Sequence, residues 1–127
     1  MNIKMVQHED YLEVFVTGKY DHQQAIERFP HVIHTCRFLD VNKVLVDFQE
    51  LQGDIAATLK VLYTMKIKEY YSNHIDSGGM PLKIAYVGSP DKIGSYEPGS
   101  KVAQREKLPT KLLTDKNEAF IWLGVNT

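Results

Sequence analysis

Cysteine is almost absent. Cys36 stands alone in 127 residues, so no disulfide can close within the chain. That suits a reducing compartment. An excess of charge of one sign is missing too: fifteen Lys and Arg face sixteen Asp and Glu, for a formal charge of −1. Nucleic-acid binding needs a clustered basic face, and here the lysines are scattered. The densest run, Lys101 to Lys107, holds Arg105 and Lys107 around Glu106 and reads as a solvated loop or frayed helix. No stretch approaches the roughly 18 apolar residues of a membrane span. Met1 to Met5 are not followed by the apolar segment of a signal peptide. The expectation is a soluble, cytoplasmic protein with no nucleic-acid partner and no membrane span.

Catalytic and metal motifs are also lacking. There is no HExxH or CxxC, no GxSxG elbow around Ser89, Ser95 or Ser100, and no GxxxxGK[ST] loop. Gly78-Gly79 precedes a strand pattern, the wrong context for a dinucleotide. His31 and His34 lie three apart near Cys36, but Cys36 falls on the apolar face and His34 is rotated away from it. No closed ligand set forms, so no metal and no cofactor are expected. A cysteine on an apolar stripe has a raised pKa and is inert. Together these absences argue against an enzyme.

What is present is an ordered series of apolar patterns. At this length one domain over residues 1–127 is the natural reading, and it can bury a core without staples. Residues 2–8 and 11–17 alternate and read as a β-hairpin. Asp21 with Gln24 forms a capping box for a helix whose inner face is Ala25, Phe29, Val32, Ile33, Cys36 and Leu39. Pro30 should kink that helix or mark a restart. Lys43–Phe48 and Leu82–Val87 are nearly all apolar, as parallel strands covered on both faces are. Between them Asp54 caps a helix to about Asn73, with Ile55, Leu59, Leu62 and Tyr63 as its core stripe. Ser77-Gly78-Gly79 is a turn. Ser89-Pro90 begins a short helix, which Gly94, Pro98 and Gly99 break. Thr110–Thr114 is a last strand, and Asp115 with Glu118 caps a closing helix. The fold class is therefore α/β: a mixed sheet of four or five strands, an N-terminal hairpin and about four helices.

In open α/β sheets, ligands favour the carboxyl ends of parallel strands. Here those ends carry 47–54 and 88–99, which makes Asp47, Gly53, Asp54, Thr58, Ser89 and Tyr96 the candidate binding residues. A lone carboxylate such as Asp47 more often caps its loop than acts as a base. Tyr63, Tyr70, Tyr71 and Tyr96 supply amphipathic surface suited to an interface or an apolar-ligand groove, or to plain packing. Val61, Met65 and Tyr71 lie off the core stripe, so the long helix is apolar on several faces. Self-association through Val61 and Met65 accounts for this, and a homodimer is expected.

The segment Val16-Thr17-Gly18, the strand Val44–Asp47 followed by Leu51-Gln52-Gly53, the strand Lys83–Val87 and the ending Leu112–Asp115 to Ala119–Leu123 occur in a familiar order. The chain resembles the STAS-like domains related to anti-sigma-factor antagonists, the SpoIIAA-like group, which in turn resemble CRAL-TRIO lipid-transfer domains. The resemblance spans nearly the whole chain. It implies a bacterial, non-enzymatic regulatory or binding module acting through protein–protein contact. In such antagonists a phosphorylatable serine begins the helix after the central strand. Here Leu51–Thr58 holds no serine, and Thr58 is the nearest hydroxyl, a turn inside the expected helix. The alternative reading is a carrier of a small apolar or lipid-like ligand held between sheet and helices.

Overall fold

The computed structural model describes residues 1–125. Strand β1 (Asn2–Gln7) turns back antiparallel on β2 (Leu12–Lys19). Helix α1 (His22–Leu39) then leads to β3 (Lys43–Asp47), which lies parallel to β2. A two-residue strand, β4 (Leu51–Gln52), pairs with the far end of β2 at Gly18 and Lys19. Helix α2 (Ala57–Asp76) crosses back to β5 (Lys83–Val87), parallel to β3. A 3-10 turn (Ile93–Tyr96) runs into α3 (Glu97–Arg105), followed by β6 (Thr110–Leu113), parallel to β5, and α4 (Lys116–Leu123). The sheet order is β1-β2-β3-β5-β6, with β4 as a short addition. Mixed sheet, hairpin and four helices are as the sequence implied. The sixth strand is new, because two residues carry no period to read.

Alternation along the strands divides the core in two. Leu12, Val14, Val44 and Ile84 face α1 and α2, joined by Phe29, Val32, Ile33, Cys36 and Ile67 from those helices. Leu45, Ala85 and Val87 face the opposite side and meet Ala119 and Leu123 of α4. Both parallel strands are thus apolar on both faces, as covered strands must be.

Helix α1 begins where its cap predicts: the Asp21 carboxylate accepts the Gln24 backbone N–H at 2.9 Å. It runs unbroken through Pro30. The apolar residues on either side, Phe29 to Cys36, are all packed on one face, and that packing offsets one lost backbone bond. Helix α4 has its Asp115 cap, but the side chain accepts from Asn117. The far end of α4 is held by a lysine from β3, whose Lys43 ammonium donates to the Gly124 carbonyl at 3.2 Å.

Two expectations need correction. Helix α2 does not start at Asp54. Its N-cap is Ala56, without a side-chain cap, and Asp54 stays in the loop. Gly53 turns the chain with φ +97, and Ile55 drops inward to line a cavity before the helix can form. The core stripe of α2 also differs. Leu62 is 49% exposed, while Lys60, Ile67 and His74 are buried and Tyr63, Tyr70 and Tyr71 pack against the core. The inner face is aromatic and polar, so a search for aliphatic residues finds the wrong stripe.

The 89–107 segment is more regular than its Gly and Pro content suggests. Ser89-Pro90 opens a turn closed by the Lys92 N–H to Ser89 carbonyl bond. Pro98 stands in the first turn of α3, where a missing N–H costs little. Gly99 lets α3 touch α2: a Cβ there would meet the Thr64 hydroxyl at 3.1 Å and the Lys60 carbonyl at 3.4 Å. Residues that read as breakers begin and dock a helix, and the charged run from Lys101 forms its second half.

Candidate functional site

The carboxyl ends of β3 and β5 do lie side by side, with Asp47 paired to Val87. The loops that leave them form one edge. Gly53, Asp54 and Thr58 are exposed there, and Ser89 is half-buried. Because α2 starts two residues later than expected, Thr58 sits in its first turn and not a turn inside. The backbone N–H groups of that turn have no side-chain cap.

Asp47 is held on the α4 side. One oxygen accepts from the Gln49 backbone and side chain, each at 3.1 Å, which is the loop-capping role. The other lies 3.2 Å from the Lys116 ammonium. Lys116 also donates to buried Glu13 at 2.6 Å, and Glu13 meets His8 at 2.8 Å. Burial pulls the Lys116 pKa down, but hydrogen bonds and charge from Glu13 and Asp47 outweigh it, and the net shift is upward. Asp47 is thus held by the Gln49 N–H groups and by the Lys116 ammonium.

Tyr96 turns inward. Its ring meets Phe48 edge-on at 5.0 Å, and the Lys60 ammonium lies 4.4 Å from its centre. Behind it, between the sheet and helices α1, α2 and α3, is a cavity of about 190 Å³ lined mainly by apolar side chains such as Val14, Phe29, Val46, Ile67 and Ile84. Gly88 shapes the wall: a Cβ there would stand 2.8 Å from the Phe48 ring. The polar groups lining the cavity include Lys60 and the phenols of Tyr20, Tyr63, Tyr86 and Tyr96.

These polar groups are mostly donors. The Tyr63 and Tyr86 hydroxyls pair at 3.0 Å. Burial, the neighbouring Tyr86 and their mutual bond hold Tyr63 well above an ordinary phenol, and burial pushes Tyr86 up to about 12. Both are neutral phenols at neutral pH. Lys60 is only 9% exposed. Its ammonium donates to the Ser95 carbonyl at 2.9 Å and makes no ion pair among the described residues. Burial lowers its pKa, opposed by the charge of Asp54.

The sequence missed Lys60, Phe48 and Tyr86 as site residues. One signal was available: Lys60, Tyr63, Ile67, Tyr70 and His74 recur at helical spacing, so a lysine shares a stripe with aromatics.

The remaining candidates lie apart from the cavity's polar groups. Met65 is 40% exposed and Val61 half-buried on the outer side of α2. Met65, Leu62, His22 and Ile26 border a shallow groove there. His31 and His34 are exposed, and Cys36 is buried with its pKa raised to about 11 by that burial. Among the described residues no three His, Cys, Asp or Glu side chains converge on a point. No described helix is long and apolar enough to cross a membrane.

No protein-family model and no curated protein matches the chain. Solved structures do. The anti-sigma factor antagonist SpoIIAA, in its unphosphorylated form, is similar with a TM-score of 0.52 at 15% identity, over 99% of this chain and 100% of that one. An anti-sigma factor antagonist from Mycobacterium paratuberculosis is similar with a TM-score of 0.59 at 11% identity, over 98% of this chain and 94% of the other. At such identities the likeness is one of fold. The chain folds as a STAS-like domain, as its order of strands and helices implied.

Proposed function

We propose that the chain is a non-enzymatic regulatory module that binds a protein partner at the edge formed by the loops after β3 and β5. The observation that carries this reading is the likeness in fold, over nearly the full length of both chains, to two proteins described as anti-sigma factor antagonists. Loops at this edge are held by a rigid sheet, a usual place for binding residues. Thr58 stands exposed in the first turn of α2, where an added phosphate would meet uncapped N–H groups. In this reading the chain works in a bacterial cytoplasm and pairs with itself through Val61 and Met65.

The test uses Asp54→Lys and Thr58→Lys, both at exposed positions where stability changes stay within about 0.5 kcal/mol. Quantitative pull-downs from the host should lose the partner that the parent chain retains, with unchanged melting curves. Retention of every partner by both variants removes this edge as the binding surface. For self-association, light scattering should show twice the chain mass, falling to one chain mass in Met65→Glu, since an unpaired charge in an apolar interface is costly. A monomer in the parent chain ends that part of the reading.

The cavity favours a second reading, in which the chain carries a small apolar or lipid-like ligand between sheet and helices.

A further inference from the structure

The cavity wall has two unlike parts. Most of its wall is aliphatic or phenyl, a surface that accepts apolar groups: an engineered apolar cavity of about 150 Å³ admits benzene. At 190 Å³ this one is slightly larger. By that scale it accepts an apolar group of roughly six to ten carbons.

Elsewhere its wall holds Lys60, a largely buried lysine whose ammonium bond to Ser95 is part-buried. A lysine this buried is ordinarily paired, because an isolated charge away from water is costly. Lys60 has a single carbonyl and an aromatic face for company. An ammonium has three N–H donors, so two remain for a ligand. In the wall of the same cavity, the Tyr63–Tyr86 pair has two hydroxyl protons and uses one in the mutual bond. The second proton has no partner among the described residues. A cation and a spare phenol proton in the wall of one largely apolar space suit an acceptor with negative charge. A few polar groups in an otherwise apolar pocket set a ligand's orientation in this way.

We propose that the cavity binds an amphipathic anion, a carboxylate on a short apolar tail, with the carboxylate on Lys60 and the tail against the sheet. The inference rests on the carrier reading and names its ligand class. The 3-10 turn and α3, residues 93–105, cover the site through Ser95, Tyr96 and Gly99, so occupancy would be felt in the loop that forms the exposed edge.

The experiment is calorimetric titration of the full chain with three probes of equal tail length: octanoate, 1-octanol and octylamine. Octanoate should bind at least tenfold more tightly than octanol, and octylamine should not bind. Lys60→Met keeps an unbranched side chain one atom shorter and removes the charge. It should reduce octanoate affinity at least tenfold while leaving octanol within about threefold, and Lys60→Arg should restore the preference for octanoate. The parent chain's ranking of probes is informative even if a variant fails to fold. Octanol binding as well as octanoate, or octylamine binding at all, overturns the headgroup assignment and leaves the carrier reading standing. If none of the three binds, both fall.

Discussion

The two faces of the sheet treat a lysine in opposite ways. On the α4 face Lys116 stands between two carboxylates, Glu13 at 2.6 Å and Asp47 at 3.2 Å, and the surrounding core is close-packed around Ala85 and Ala119. On the α1–α2 face Lys60 has no counter-ion among the described residues and borders a cavity. The same strands build both faces, so the contrast lies in what the helices contribute. Helix α4 is short and offers Ala119 and Leu123, with Phe120 and Trp122 packed beside them. Helix α2 is long and offers tyrosines, a lysine and a histidine, whose hydroxyls and rings do not interdigitate as aliphatics do. A closed face with satisfied charges serves stability. An open face with an unsatisfied charge is where a ligand would be stabilised.

The largest expected difference between the faces is in response to deletion. Leu45 is fully buried against α4, and Leu45→Ala should cost about 3–5 kcal/mol, the transfer loss plus a new void. Ile84 is as buried but borders the existing cavity. It has fewer contacts on one side to lose, so Ile84→Ala should cost about 2–3 kcal/mol. Urea unfolding of the two variants checks this. Equal costs would mean that the helix face packs as tightly as the other.

Insertion should give the opposite ranking. Ala119→Leu forces bulk into a site with no space and should cost about 1–3 kcal/mol. Ala25 lines the cavity, so Ala25→Leu should be neutral or stabilise by about 0.5–2 kcal/mol, as cavity filling does. The same variant should weaken octanoate binding. A destabilised Ala25→Leu would show that the cavity walls cannot accept added volume.

Sequence reading reached the closed face more easily than the open one. The strands at 43–47 and 83–87 are nearly all apolar, and the Asp21 and Asp115 caps fix two helix starts. Each of these depends on residues a few positions apart. The open face depends on contacts the chain makes at long range. Lysine on a helix ordinarily reaches water, so Lys60 draws no attention until α3 closes over it. Asp54 has the chemistry of a cap, but Ile55 is drawn into the cavity and delays the helix. Pro98 and Gly99 read as breakers because their value lies in a first turn and in a close approach to α2, which only the fold supplies. Leu62 looks like core and is exposed, since aromatic side chains hold the inner stripe.

Exchanging each lysine for methionine compares the two charges directly. Lys116→Met leaves buried Glu13 and nearby Asp47 facing each other without their cation. Removing one member of a buried ion pair costs several kcal/mol, but Lys116 is a third exposed, and the expected loss is reduced to about 1–2 kcal/mol. Lys60→Met removes a charge that burial disfavours. Its Ser95 carbonyl partner belongs to an exposed residue that water can reach, so the change should be neutral or slightly stabilising. Thermal melts at neutral pH without ligand measure both. A large loss in Lys60→Met would mean that the ammonium is a structural strut and would weaken its assignment to a ligand.

The smallest effect, and the one most specific to the charges, lies above neutral pH. The Lys116 pKa is raised in the folded chain. Its contribution to stability is therefore fully present below the unfolded lysine value and is lost as pH rises through the folded one. The Lys60 pKa is lowered. Between its folded and unfolded values the unfolded chain binds more protons, so stability rises with pH there as the buried charge is relieved. The phenols of Tyr63 and Tyr86, both raised, contribute a loss above the ordinary tyrosine value that is common to all variants. Subtracting the parent curve removes it. Urea midpoints from pH 8 to pH 11 should then show the difference between Lys60→Met and the parent shrinking as pH rises through the lowered Lys60 value. The difference for Lys116→Met should hold through that range and shrink only above the ordinary lysine value. Two difference curves of the same shape would mean that the two lysines have similar surroundings, and the contrast between the faces would be lost.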